Sequence, residues 1–144
     1  MLKSIPLMLA TLLIASGVGG CASRRHVQRH HADTQAVAKI LAANAAGPVA
    51  FTDLDAANAL THSVREAEHL KAALILDKEG SVLSRYFAPG FDRQADALLS
   101  VISLRVHRGE NEFSFQQEGL DVSVVPIRGQ DPIIGYVAIG STTL

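Results

Sequence analysis

The spacing of the apolar residues changes once along this chain, and the change falls at Leu70. Before it, Val37, Ile40, Leu41 and Asn44 recur at helical spacing, and so do Ala57, Leu60, Val64 and Ala67. After it, Leu70 to Leu76 is a short apolar run that meets a turn at Asp77 to Gly80. Val82 to Phe87 then alternates in strand fashion until Pro89 and Gly90 end it. A chain that is helix-periodic first and strand-periodic afterwards belongs to the α+β class.

The individual elements follow from local signals. Residues 28–46 read as a helix with Gly47 and Pro48 as the stop. Phe51 to Leu70 reads as a second helix, capped by Thr52 or Asp53, with Asp55 suited to its positive N-terminal end. Residues 112–116, 120–127 and 133–139 read as three further strands, with Gly119 in one connection and Gly129, Asp131 and Pro132 in the other. The segment 91–109 fits two patterns: Leu98, Leu99 and Ile102 suit a short helix, whereas Ile102, Leu104 and Val106 suit a strand. The sum is two helices and about five antiparallel strands, with helix covering one face of the sheet.

The first twenty residues read as an address. Lys3 gives a short positive start, Ile5 to Val18 is apolar, and Gly19 and Gly20 precede Cys21, which is the pattern of a signal peptide. The apolar run is shorter than the roughly 20 residues needed to span a bilayer as a helix. Val18 to Cys21 resembles a bacterial lipobox, and Cys21, the one cysteine of the chain, is the residue such a site lipidates. Arg24, Arg25 and Arg29 follow the apolar run while Lys3 alone precedes it, an arrangement that opposes an uncleaved anchor with its downstream part outside the cytoplasm. The expected organisation is a signal peptide over 1–20, a lipidated tether and helix start over 21–34, and a domain over 35–144, held in the periplasm by membrane lipid through Cys21.

Composition excludes several functions. With 13 Lys and Arg against 14 Asp and Glu, and aromatic residues at 5%, the chain has neither a basic field nor a stacking platform for nucleic acid. His26 and His30 are four apart with His31 adjacent, yet no Asp, Glu or Cys accompanies them at ligand spacing, so no metal or other cofactor is expected. His62 and His69 lie off the apolar stripe of the second helix and read as solvated. Ser63 and Ser103 stand in no Gly-x-Ser-x-Gly turn, and no glycine-rich segment is followed by Lys-Ser or Lys-Thr, so catalysis is not expected.

Three sets of residues, in order, carry a family likeness. Phe51, Asp53, Ala56 or Ala57, and Leu60 form a first phrase. Ala73, Asp77, Gly80 and Tyr86 form a second, and Pro126, Ile127, Ile134, Gly135 and Val137 a third. Over roughly residues 35–141 the chain resembles the eighth type of the CHASE series, periplasmic sensor domains found outside the membrane in bacterial histidine kinases and diguanylate cyclases. The resemblance implies a PAS-like fold, a long helix leading into an antiparallel sheet. It also implies a non-enzymatic input role, with pairs of N-terminal helices as a homodimer contact. Members of that family continue into a second membrane helix and a cytoplasmic output domain, whereas this sequence stops at Leu144. The expectation is therefore a lipoprotein acting through a membrane-bound kinase or cyclase partner, or a fragment without its output domain. The alternative is a structural envelope lipoprotein with no sensory role.

The resemblance supplies no ligand residues. The polar side chains expected around the sheet, Arg85, Tyr86, Arg93, Arg105 and Arg128, are the candidates for a ligand site; each also suits an outer strand face or a solvated loop.

Overall fold

The computed structural model describes residues 19–142, with side chains described from Asp33 onward. Residues 1–18 of the expected signal peptide, and the side chain of Cys21, lie outside the described residues. Helix α1 spans Gly19–Ala50 and α2 spans Leu54–Ser63, followed by a 3-10 turn at Val64–Glu66. Strands β1 (Leu70–Asp77) and β2 (Val82–Phe87) form the first hairpin, and α3 spans Ala95–His107. Strands β3 (Phe113–Gln117), β4 (Leu120–Arg128) and β5 (Ile133–Thr142) complete one sheet. Its order is β2-β1-β5-β4-β3, and every pairing is antiparallel. The expected α+β, PAS-like arrangement, a long first helix and a second helix on a five-stranded antiparallel sheet, is the one present.

The second helix ends at Ser63, with its 3-10 turn closing at Glu66, short of the expected Leu70, which opens β1, and α1 is helical from Gly19 rather than from residue 28. Two further details depart from the sequence reading. The first helix does not stop at Gly47 and Pro48 but runs to Ala50, with Pro48 in its last turn. The Asp53 amide donates to the Pro48 carbonyl at 2.8 Å and the Thr52 amide to that of Val49 at 3.3 Å. These two bonds close the helix around Thr52, whose φ is +53°. Asp53 then caps α2, its carboxylate accepting from the Ala56 amide at 3.1 Å, so the corner between the helices is only three residues long.

The second departure is α3, the segment that fitted two patterns. It is helical and covers the face of the sheet opposite α1 and α2, so helix lies on both faces rather than one. The reason is in β1, where Ala72 to Leu76 are all buried. Ala73 and Ile75 pack under α1 with Val125, Ile127, Val137 and Ile139. Leu74 and Leu76 point the other way and meet Leu98, Ile102 and Val106 of α3 together with Val122, Val124 and Ala138. A strand that is apolar on both faces needs a cover on each.

Polar side chains seat the helices. The Thr61 and Ser84 hydroxyls lie 2.8 Å apart, buried between α2 and β2, and the Ser84 hydroxyl donates to Asn58 Oδ1 at 2.6 Å. In the first hairpin the Asp77 carboxylate accepts from the amides of Glu79 and Ser81, and Gly80 takes the positive φ of +86° that the turn requires.

Candidate ligand site

The five residues expected around the sheet do not gather at one place. Arg85 is exposed on the edge strand and pairs with Leu74, whereas Tyr86 pairs with Ala73, so their side chains leave opposite faces. Arg93 is exposed in the 3-10 turn before α3. Arg105 is engaged within the domain: its guanidinium lies over the rings of Phe113 and Phe115, at 4.3 and 5.8 Å from their centroids, and pairs with Glu110. Arg128 lies at the end of β4, beside a smaller hollow bordered by Lys39 and Glu112.

Tyr86 alone of the five borders a second, charged pocket at the end of the sheet. It holds about 600 Å³ and lies where β1 begins, β2 ends and β5 ends. Arg65, Glu68, His69, Lys71 and Thr142 contribute its polar groups, and Ala67, Ala88 and Pro89 its apolar wall. Its volume falls within the range of small-molecule sites.

The backbone beneath these side chains is fixed. The Thr142 amide donates to the His69 carbonyl at 3.0 Å, the Ala88 amide to that of Lys71 at 2.8 Å, and the Leu70 amide to that of Ala67 at 3.0 Å. Leu70 pairs with Ser141 and Ala72 with Gly140, so Lys71 is the extra residue of a β-bulge between β1 and β5. A bulge re-aims the side chain that carries it and is over-represented beside binding and active sites. The Lys71 ammonium lies 6.0 Å from the Phe91 ring centroid, and the Tyr86 ring meets that of His62 at 5.5 Å with a 59° tilt. Arg65 reaches Glu66 at 3.2 Å, a contact between two exposed side chains that holds the guanidinium only weakly.

Reading along the sequence missed Arg65, His69 and Lys71. The available signal was a basic pair two residues apart at the opening of an apolar strand, with an arginine four residues before it. Among the described residues no group of three His, Cys, Asp or Glu side chains converges as a metal site, and no helix is long and apolar enough to cross a membrane.

An α+β domain that fixes an open, charged pocket at the end of its sheet has the form of a binding domain. The family model of the CHASE8 periplasmic sensor domain matches residues 26–140, and the chain belongs to that family. It is an extracytoplasmic sensor module. No curated protein matches its sequence. Among solved structures it is similar to the gliding protein MglB from Thermus thermophilus, at 20% identity and a TM-score of 0.33 over 56% of this chain and 66% of that one. It is also similar to an MglB with a tetrameric arrangement, at 21% identity and a TM-score of 0.34 over 56% and 65%. The matched part thus spans just under two thirds of either MglB chain.

Proposed function

We propose that the protein is a non-enzymatic input module of bacterial signal transduction, tethered to the periplasmic side of a membrane by lipid on Cys21, paired through α1, and acting through a membrane-bound kinase or cyclase. The observation that carries this reading is that α1 is apolar on two sides. Ala38, Leu41, Ala42 and Ala45 are buried on the sheet. On the other side Ala36, Ile40, Ala43, Gly47 and Ala50 are all exposed and recur at alternating spacings of four and three, the repeat of a helix that packs along another helix. Ile40 is 64% exposed, and at the corner that follows Phe51 and Leu54 are 86% and 47% exposed. An apolar helix face left in water favours a protein partner, and a heptad-spaced stripe of small residues is self-complementary, which supports a second copy as the first occupant.

The test places a photo-crosslinking residue at Ile40 or at Phe51 in the full chain expressed in its own cells. A crosslinked dimer together with a crosslink to a kinase or cyclase is expected; capture of neither overturns the reading. For the tether, a Cys21→Ser variant should lose both lipid label and membrane fractionation, and a variant that keeps them removes lipidation from the proposal.

A further inference from the structure

Resting on that sensor reading, we propose that the pocket formed by Arg65, His69, Lys71, Tyr86 and Thr142 binds a small organic carboxylate. Two basic side chains, Arg65 and Lys71, border it against one carboxylate, Glu68, so the pocket itself favours an anion although the chain carries a formal net charge of -1. Neither cation is consumed by the fold. Among the described residues Arg65 holds only the exposed Glu66, leaving the rest of its guanidinium fork for a planar carboxylate. Among the described residues Lys71 meets no carboxylate, only the Phe91 ring at 6.0 Å.

The bulge gives the second, independent observation. Regular pairing of β1 with β5 would carry straight through residue 71, and the extra residue inserted there is a lysine bordering the pocket. At this irregularity the inserted side chain is a cation on the pocket's border. The apolar wall of Ala67, Ala88 and Pro89 selects a ligand with a carbon skeleton over a bare inorganic anion. The Tyr86 and Thr142 hydroxyls are able to donate to further ligand oxygens.

The pocket's place also gives binding a consequence. It joins the segment that enters β1 to the last residue of β5, next to the point where Ser141 meets α1. A ligand held by Arg65, Lys71 and Thr142 would tie the turn after α2 to β1 and to the end of β5.

Calorimetry on the detergent-solubilised full chain tests this, with succinate and citrate as probes and inorganic phosphate and putrescine as comparators. The carboxylates should bind, more weakly as salt is raised, and putrescine should not. Arg65→Gln and Lys71→Gln should each weaken binding about tenfold or more, the loss of a charge-assisted hydrogen bond, without lowering the melting temperature. Arg108→Gln, on the exposed end of α3, should leave binding unchanged. Absence of carboxylate binding, binding indifferent to both pocket substitutions, or phosphate binding as tightly as succinate would each overturn the proposal. A chain that crosslinks through Ile40 but binds no carboxylate loses only this inference. One that binds succinate yet crosslinks to nothing loses the signalling reading instead.

Discussion

The hydroxyls of Thr34 and Ser141 lie 2.8 Å apart in a buried contact that joins α1 to β5 across 107 residues of sequence. Both side chains are almost wholly withdrawn from water, Thr34 at 2% exposure and Ser141 at 2%. Thr34→Val takes this partner from the Ser141 hydroxyl and is expected to cost about 1–2 kcal/mol. The double variant with Ser141→Ala should cost less than the sum of the single changes, because both polar atoms are then gone. Urea denaturation of the four proteins measures the coupling; strict additivity would show that the contact does not hold the helix to the sheet.

Thr52 closes α1 at a φ of +53°, a conformation that costs a residue with a β-branched side chain about 1–2 kcal/mol. Thr52→Gly removes that strain while keeping both backbone bonds that end the helix. The expected outcome is a gain in stability of about 0.5–1 kcal/mol, read as a higher urea midpoint, once the greater freedom of glycine in the unfolded chain is counted. A lower midpoint would mean that the Thr52 side chain itself holds the corner.

Gly135 sits in the middle of the sheet between Asp77 and Ile127, and a Cβ there would collide with the Leu76 carbonyl oxygen. That oxygen belongs to the backbone and cannot swing aside as the end of a flexible side chain would. Gly135→Ala should therefore cost about 2 kcal/mol or more, read as a fall in melting temperature. Ala at Gly90, where no atom lies within 4 Å of an added Cβ, meets no such clash, and its cost is confined to the positive φ of 90°.

Arg105 separates a structural arginine from a ligand-binding one. Its contacts with Glu110, Phe113 and Phe115 predict that Arg105→Lys lowers stability by about 1 kcal/mol, since an ammonium lacks the flat face that stacks on the rings. Calorimetric binding of succinate should be unchanged. Weaker binding with unchanged stability would move Arg105 into the site.

Tyr136 is packed among the side chains under α3, and burial raises its phenol above the ordinary tyrosine value of 10.0. The folded chain thus favours the neutral ring. Its contribution is fully present below the unfolded value near 10 and is lost as pH rises through the higher folded one. Melting temperature should fall in this alkaline window, and less steeply in Tyr136→Phe. An equal fall in both proteins would assign the loss to other groups.

What could be read from the sequence was what local chemistry decides. Asp77 and Gly80 carry their turn in their own side chain and dihedral, and the hairpin around them lies where the spacing put it. Segment 91–109 could not be read that way. Leu98, Ile102 and Val106 satisfy both periods over so short a stretch, and what decides between them is the second apolar face of β1, a tertiary demand. The end of α1 was missed because threonine does not advertise a left-handed conformation. The pocket was less legible still. His69 and Lys71 become neighbours of Tyr86 and Thr142 only through the pairing of β1 with β2 and β5, and the bulge that distinguishes Lys71 is a property of that register.

Strand β5 is the last of the described strands and central in the sheet. Until residues 133–142 are available, β1 with β2 and β3 with β4 are two separate hairpins, each with an apolar edge that has no partner. Assembly therefore waits for the final strand, and contacts such as Thr34 to Ser141 form only then. A polypeptide crossing a narrow translocation pore with its N-terminus leading would stay threadable throughout its passage, and would lock only once nearly all of the described chain had emerged.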